Sequence, residues 1–146
     1  MNISRISVLI KKASLEFDKM SNPILAQYDL TASQCRVLKF LYSQQSCGSR
    51  VVDIEKECAI THPTVLGLID SLEKKGFVLK VVNPEDARSK LISLTGKAKK
   101  MQAELEAVVV EIDELMTDSL SDDEKEQLIK LLQKLLSKKN EVKIDG

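Results

Sequence analysis

Residues 86 to 90, Asp-Ala-Arg-Ser-Lys, place a carboxylate, a guanidinium, a hydroxyl and an ammonium within five positions. Two short apolar runs flank them, 77–82 and 91–94, and read as two strands of a hairpin. The connection, 83–90, is about eight residues long, where economical hairpins use two to five. Asp86 and Arg88 on such a finger suit an anion contact, with the carboxylate aiming the guanidinium. Equally, the pair stiffens a solvated turn. Upstream, Thr61, His62, Thr64, Ser71 and Lys74 supply hydrogen-bonding and charged groups. None of these sets is catalytic. The chain has one His, no Gly-rich phosphate loop and three cysteines without a C-x-x-C spacing. The expectation is a protein that is not an enzyme, with no metal and no cofactor. Cys47, beside Gly48, is the cysteine expected to be exposed, and Cys35 and Cys58 sit near apolar faces.

The charge is unevenly spread. Residues 31–100 hold 12 Lys and Arg against 7 Asp and Glu, whereas residues 101–146 hold 6 against 12. A positive middle and an acidic end point to a polyanion meeting the middle. Aromatics are 3% with no Trp, which disfavours stacking on single-stranded nucleic acid. No stretch approaches the roughly 20 apolar residues of a membrane span, so a cytoplasmic protein with no membrane partner is expected.

The elements that position these residues follow from hydrophobic periodicity and capping. Ile3, Ile6, Ile10, Ala13, Phe17 and Met20 recur at steps of three and four, giving an amphipathic helix that Asn22-Pro23 ends or bends. Thr31 and Gln34 form a capping box opening a second helix, with Leu38, Leu41 and Tyr42 inward and Gly48 closing it. Residues 51–58 read as a short third helix with Val51, Ile54 and Cys58 inward. Thr61 caps a fourth, with Pro63 in its first turn, a stripe of Val65, Leu68, Ile69 and Leu72, and Gly76 as its stop. With Val65 facing in, its outward face is Pro63, Gly67, Asp70, Ser71 and Lys74. Thr95 starts a fifth helix with Ala98, Met101, Leu105, Val108, Ile112 and Leu115 at heptad spacing. Ser121 and Glu124 form a second capping box before a last helix with six aliphatics on more than one face. The fold class is mainly α with a small β-hairpin. A short helix, a turn and a longer helix make a helix-turn-helix, and the hairpin after it is a wing.

The segment THPTVLGLIDSLEKKGFVLKVVNPEDARSKLISLTGKAKK, 61–100, resembles the MarR family of winged helix-turn-helix transcription regulators. The matching motifs are Thr64-Val65, the run Leu72-Glu73-Lys74-Lys75-Gly76, the wing Asp86-Ala87-Arg88, and Leu94-Thr95. The resemblance implies one MarR-type domain over 1–146. About 31–100 form the DNA-binding part, and about 1–25 and 96–140 the helices of a homodimer base. It implies a repressor of double-stranded DNA, with the fourth helix in the major groove and the wing in the adjacent minor groove. Arg88 suits a narrow minor groove, where negative potential concentrates, and Ser89 and Lys90 add phosphate contacts. Thr61, His62, Thr64, Gly67, Ser71, Lys74 and Asp86 complete the expected DNA face. The chain departs from the family pattern where many relatives carry Arg, at Gly67 and Ala87. For His62 a solvent position at the helix start competes with a base contact.

Ile6, Ile10, Leu105, Ile112, Leu132 and Leu135 are the expected dimer residues, because a small monomer has little to lay against three apolar helices. The resemblance also implies a cleft for a small lipophilic or aromatic effector. Phe17, Leu38, Tyr42 and Met101 either line it or belong to the core, and Arg36 either pairs with a ligand carboxylate or lies on the surface. The competing functional class is a dimeric ligand-binding or protein-interaction module on the same scaffold with little DNA affinity.

Overall fold

The computed structural model describes residues 4–44 and 47–141, so Ile3 lies outside the described residues. The order is α1 (Ser4–Leu25), a 3-10 turn (Ala26–Tyr28), α2 (Ala32–Ser43), β1 (Ser49–Arg50), α3 (Val51–Cys58), α4 (His62–Lys74), β2 (Val78–Asn83), β3 (Asp86–Leu94), α5 (Gly96–Met116) and α6 (Asp122–Glu141). The sheet is antiparallel with the order β1-β3-β2. The fold is thus mainly helical with a small wing. The chain divides into two compact units between Val110 and Glu111, within α5.

Pro23 does not end α1. It lies inside the helix, which runs two residues further. A proline there removes one N–H from the last turn only, so the damage stays local. The helix then tightens into the 3-10 turn and stops at Asp29, which takes a left-handed φ of 61°. The Asn22 side chain spans the corner, its Oδ1 accepting from the Ala32 N–H at 2.8 Å. The capping box of α2 forms in both directions, Gln34 N–H to Thr31 Oγ1 at 3.2 Å and Thr31 N–H to Gln34 Oε1 at 3.1 Å. The box of α6 does likewise between Ser121 and Glu124.

Gly48 does not close α2, which ends at Ser43. It leads into β1, a two-residue strand too short to leave a periodic signal. Its role is steric, since a Cβ there would sit 2.8 Å from Leu91 Cβ and 3.3 Å from Ile92 O on β3. Gly48→Ala is therefore expected to push β1 off β3 and cost about 1–3 kcal/mol, read as a lower urea midpoint. An unchanged midpoint would show that the strand yields freely.

Unit 1 has its core where α2, α3, α4 and the sheet meet. Val37, Leu38, Ile54, Val65, Leu72 and Phe77 are fully buried there. Leu68, expected in this stripe, is only half-buried. Gly76 stops α4 as expected, with a left-handed φ of 84°. Phe77 N–H bonds Leu72 O at 2.9 Å and Gly76 N–H bonds Glu73 O at 3.0 Å, a Schellman motif. Thr95 then ties α5 to this corner. Its hydroxyl donates to Gly76 O at 2.6 Å and its Oγ1 accepts from the Ala98 N–H at 3.2 Å.

Candidate nucleic-acid interface

The eight-residue finger is in fact a tight turn. β2 and β3 stay paired to Asn83 and Asp86, leaving only Pro84 and Glu85 at the tip. Val82 pairs with Lys90 and Asn83 with Asp86, so Ala87, Arg88 and Ser89 bulge from β3. The bulge is held from within. Asp86 Oδ1 accepts from the Arg88 N–H at 3.1 Å and lies 3.4 Å from Arg88 Nε. Asn83 Nδ2 donates to Ser89 Oγ at 3.1 Å, and the Ser89 hydroxyl donates to Asp86 O at 3.2 Å. The Ser89 hydroxyl is thus already committed as a brace within the wing. Arg88 is the opposite, with its side chain 94% exposed beyond the bulge. Lys90 is also exposed.

Between the wing and the helix pair α3–α4 runs an open groove of about 890 Å³. Arg50, His62, Leu66, Lys80, Ser89 and Lys90 are among its walls. Sequence reasoning misses Arg50 and Lys80 because Arg50 lies on a two-residue strand without a periodic signal and the partners of Lys80 lie on another element. Arg50 grips Asp53 through Nε at 3.0 Å and a second nitrogen at 3.2 Å. That hydrogen bond raises the pKa of Arg50 and lowers that of Asp53. Lys80, from β2, lies 2.6 Å from Asp70 and 3.5 Å from Glu73, both on α4. The hydrogen bond to Lys80 holds the Asp70 carboxyl below its usual range, so Asp70 stays ionised and neutralised beside the exposed helix face.

Thr61 occupies the N-cap of α4 but its side chain does not cap; its hydroxyl bonds Thr64 Oγ1 at 3.0 Å instead. His62 Nδ1 lies 2.7 Å from Glu55 Oε1, which turns one ring nitrogen back to α3. Thr64, Gly67 and Lys74 are exposed. Ser71 does not belong to the outward face. It is half-buried, and Gln34 Nε2 donates to its Oγ at 2.9 Å. Lys75 Nζ completes this link, bonding Gln34 Oε1 at 2.9 Å and Asp29 O at 2.7 Å. α4 is thereby locked to α2 through a satisfied polar network.

The expected effector residues stand in different environments. Leu38 is fully buried and belongs to the core. Tyr42 donates to Ala98 O at 2.5 Å, and burial pushes its phenol up to about 12. Arg36 is held by Asp18 at 2.9 Å. Phe17 and Met101 are half-buried. The expected dimer residues also split. Leu105 and Ile112 are already covered within one chain, at 2% and 3% exposure, and have no free surface to offer. Ile6 and Ile10 on α1, and Leu132 and Leu135 on α6, are exposed. Cys35, Cys47 and Cys58 are free thiols; Cys47 is exposed, and burial raises the pKa of the other two. No helix among the described residues is long and apolar enough to cross a membrane.

A short helix, a tight turn, a helix with an open outer face and a braced antiparallel wing define a winged helix-turn-helix protein. Residues 30–90 match the MarR family. The chain is 31% identical to S. aureus MepR in its DNA complex, covering 94% of this chain and 98% of that one, with a TM-score of 0.78. A cysteine-to-serine variant of E. coli MarR complexed with operator DNA is 26% identical over 90% of this chain and 94% of its own, with a TM-score of 0.80. Bordetella bronchiseptica BpsR, whose DNA binding is regulated by 6-hydroxynicotinic acid, is 26% identical over 90% and 98%, also at 0.80. The chain belongs to the MarR family of regulators.

Proposed function

We propose that the protein is a sequence-specific, duplex-DNA-binding transcriptional regulator that acts as a homodimer and represses by occupying its operator. One observation carries this reading most. The wing presents Arg88 beyond its bulge, and Lys90 lines the groove between wing and α4, where Arg50 and Lys80 are already paired with Asp53, Asp70 and Glu73. An exposed guanidinium on a wing beside an open helix face suits a duplex, with α4 in the major groove and Arg88 in the minor groove. Thr61, His62, Thr64 and Lys74 would then face the duplex. Two relatives solved with DNA support the DNA-binding reading.

The homodimer is supported by two apolar faces with no cover in a single chain. Ile6, Leu9 and Ile10 are exposed on α1, and Leu131, Leu132 and Leu135 on α6. Clustered exposed apolar side chains mark interaction surfaces. A two-fold dimer would also present two α4 helices to paired half-sites. Control by a small aromatic acid is part of the proposal, on the likeness to BpsR. Such a ligand would act by its differential affinity for two spacings of the α4 helices.

Selection of binding sites from a random duplex pool tests the function. The expected outcome is an enriched two-fold-symmetric sequence with half-sites about 10 base pairs apart. The rival reading, an interaction module without DNA affinity, draws on the scarcity of long basic side chains on α4. A pool that stays random would favour it.

A further inference from the structure

The chain has one histidine, His62, and it stands as the first residue of α4. Its side chain is 61% exposed and lines the groove beside the wing. Its Nδ1 lies 2.7 Å from Oε1 of Glu55, a carboxylate on α3 that is only 20% exposed. An ionised carboxylate accepts hydrogen bonds and donates none. Nδ1 therefore carries a proton whether the ring is neutral or charged. The other nitrogen, Nε2, has no partner among the described residues. It is the one atom of the ring whose proton comes and goes. In the neutral ring Nε2 is an acceptor; in the imidazolium it is a donor on a cation. The other charged groups around this groove are Arg50, Lys80, Glu85, Asp86 and Lys90. Arg50 is paired with Asp53, Lys80 with Asp70 and Glu73, and Asp86 with Arg88, so Glu55 is the group that holds the ring.

We propose that His62 is a proton-dependent phosphate contact, aimed by Glu55 as a positioning residue, which tightens duplex binding as the pH falls. The proposal rests on the DNA-binding reading above. A phosphate oxygen is a negatively charged acceptor. It meets the lone pair of neutral Nε2 unfavourably and the N–H of the imidazolium favourably. Binding thus takes up a proton at Nε2, while the bond from Nδ1 to Glu55 is made in both forms. The link between α3 and α4 persists throughout, and only the outward edge of the ring changes. The contact exists only while the ring is protonated, so it adds affinity at the acid end of the histidine range and is lost as pH rises.

Affinity for an unselected duplex, measured at fixed ionic strength from about pH 8 to about pH 5.5, is the direct test, because such a duplex is held mainly through its phosphates. Wild type is expected to tighten at least about tenfold over this range, as charge-assisted hydrogen bonds are gained. Its salt slope should steepen by about 1.8 for a dimer gaining two phosphate contacts. His62→Gln should give a flat profile. His62→Lys, with a charge fixed over this range, should bind at about pH 8 as wild type does at about pH 5.5. Because the histidine is single, its nitrogen-15 resonances in the full chain read this ring alone. They are expected to show Nδ1 protonated and Nε2 bare in the neutral ring, with Glu55→Ala losing that preference. Nε2 protonated in the neutral wild-type ring would overturn the proposal. A wild-type profile that His62→Gln reproduces would overturn it too, while the DNA-binding reading stands. If wild type binds no duplex at any pH, the DNA-binding reading itself fails and takes the proposal with it.

Discussion

Replacing Leu132 and Leu135 together with Asp is expected to convert the protein from dimers to monomers at micromolar concentration. Both side chains stand on α6, exposed by 40% and 53% in the single chain. An Asp at either place therefore costs little in a lone chain, where water solvates it. In a dimer it becomes a buried, unpaired carboxylate, at a cost of several kcal/mol each. The pair occurs twice across a two-fold interface, so the dimer constant should weaken by at least about 10⁴-fold. Sedimentation equilibrium reads this directly. Circular dichroism should show helix content retained, because Leu105, Val108 and Ile112 stay covered within the chain. A milder variant, Leu132→Ala with Leu135→Ala, should give a dimer that dissociates on dilution. A double Asp variant that remains a folded dimer would place the interface elsewhere.

Arg88→Ala is expected to weaken duplex binding by about ten- to a hundredfold at roughly 150 mM salt, with dimer and melting temperature unchanged. Among the described residues Arg88 is held through Asp86, and its side chain is 94% exposed, so the fold loses little with it. An exposed ion pair of this kind contributes little to stability. In a narrow minor groove the same guanidinium meets concentrated negative potential. Each contact that releases counterions contributes about 0.9 to the salt slope, so a dimer losing two should flatten by about 1.8. Asp86→Ala should act in the same direction more weakly. It frees the Arg88 N–H and guanidinium from a common anchor without removing the cation. Unchanged affinity in Arg88→Ala would take the wing out of the interface.

Much of the fold was legible because it is written in local patterns. Both capping boxes form where Thr31–Gln34 and Ser121–Glu124 predict them. The third helix spans 51–58 as expected, and Gly76 stops α4 by its left-handed backbone. The failures have two causes: a breaker in the last turn of a helix does little damage, and contacts distant in sequence override local signal. Pro23 reads as a breaker, yet only two residues of helix follow it and the loss is small. Gly48 reads as a cap, yet it is required by Leu91, 43 positions further along. The wing reads as a long loop because Ala87, Arg88 and Ser89 break the strand alternation, while a three-residue bulge keeps the ladder paired on both sides.

The candidate interface was legible in part for the same reason. Arg88 and Lys90 stand out as charges beside a hairpin. Helical phase alone points Ser71 outward, but Gln34 from α2 draws it inward. Arg50 and Lys80 carry no spacing that marks them. They become part of the groove only when β1 pairs with β3 and β2 lies beside α4. Leu105 and Ile112 share an apolar stripe with Leu115, and only packing separates the covered residues from the exposed one.

The most direct test of the regulator reading is a salt titration of binding to a selected duplex and to an unselected one. If wing and α4 form a cationic interface that also reads bases, affinity for both should fall steeply, by about 10³-fold or more between 50 and 200 mM salt. The selected duplex should bind at least about 10³-fold tighter throughout. Binding that is absent at 50 mM salt, or equal for both duplexes and indifferent to salt, would contradict the assignment of this groove and wing to DNA.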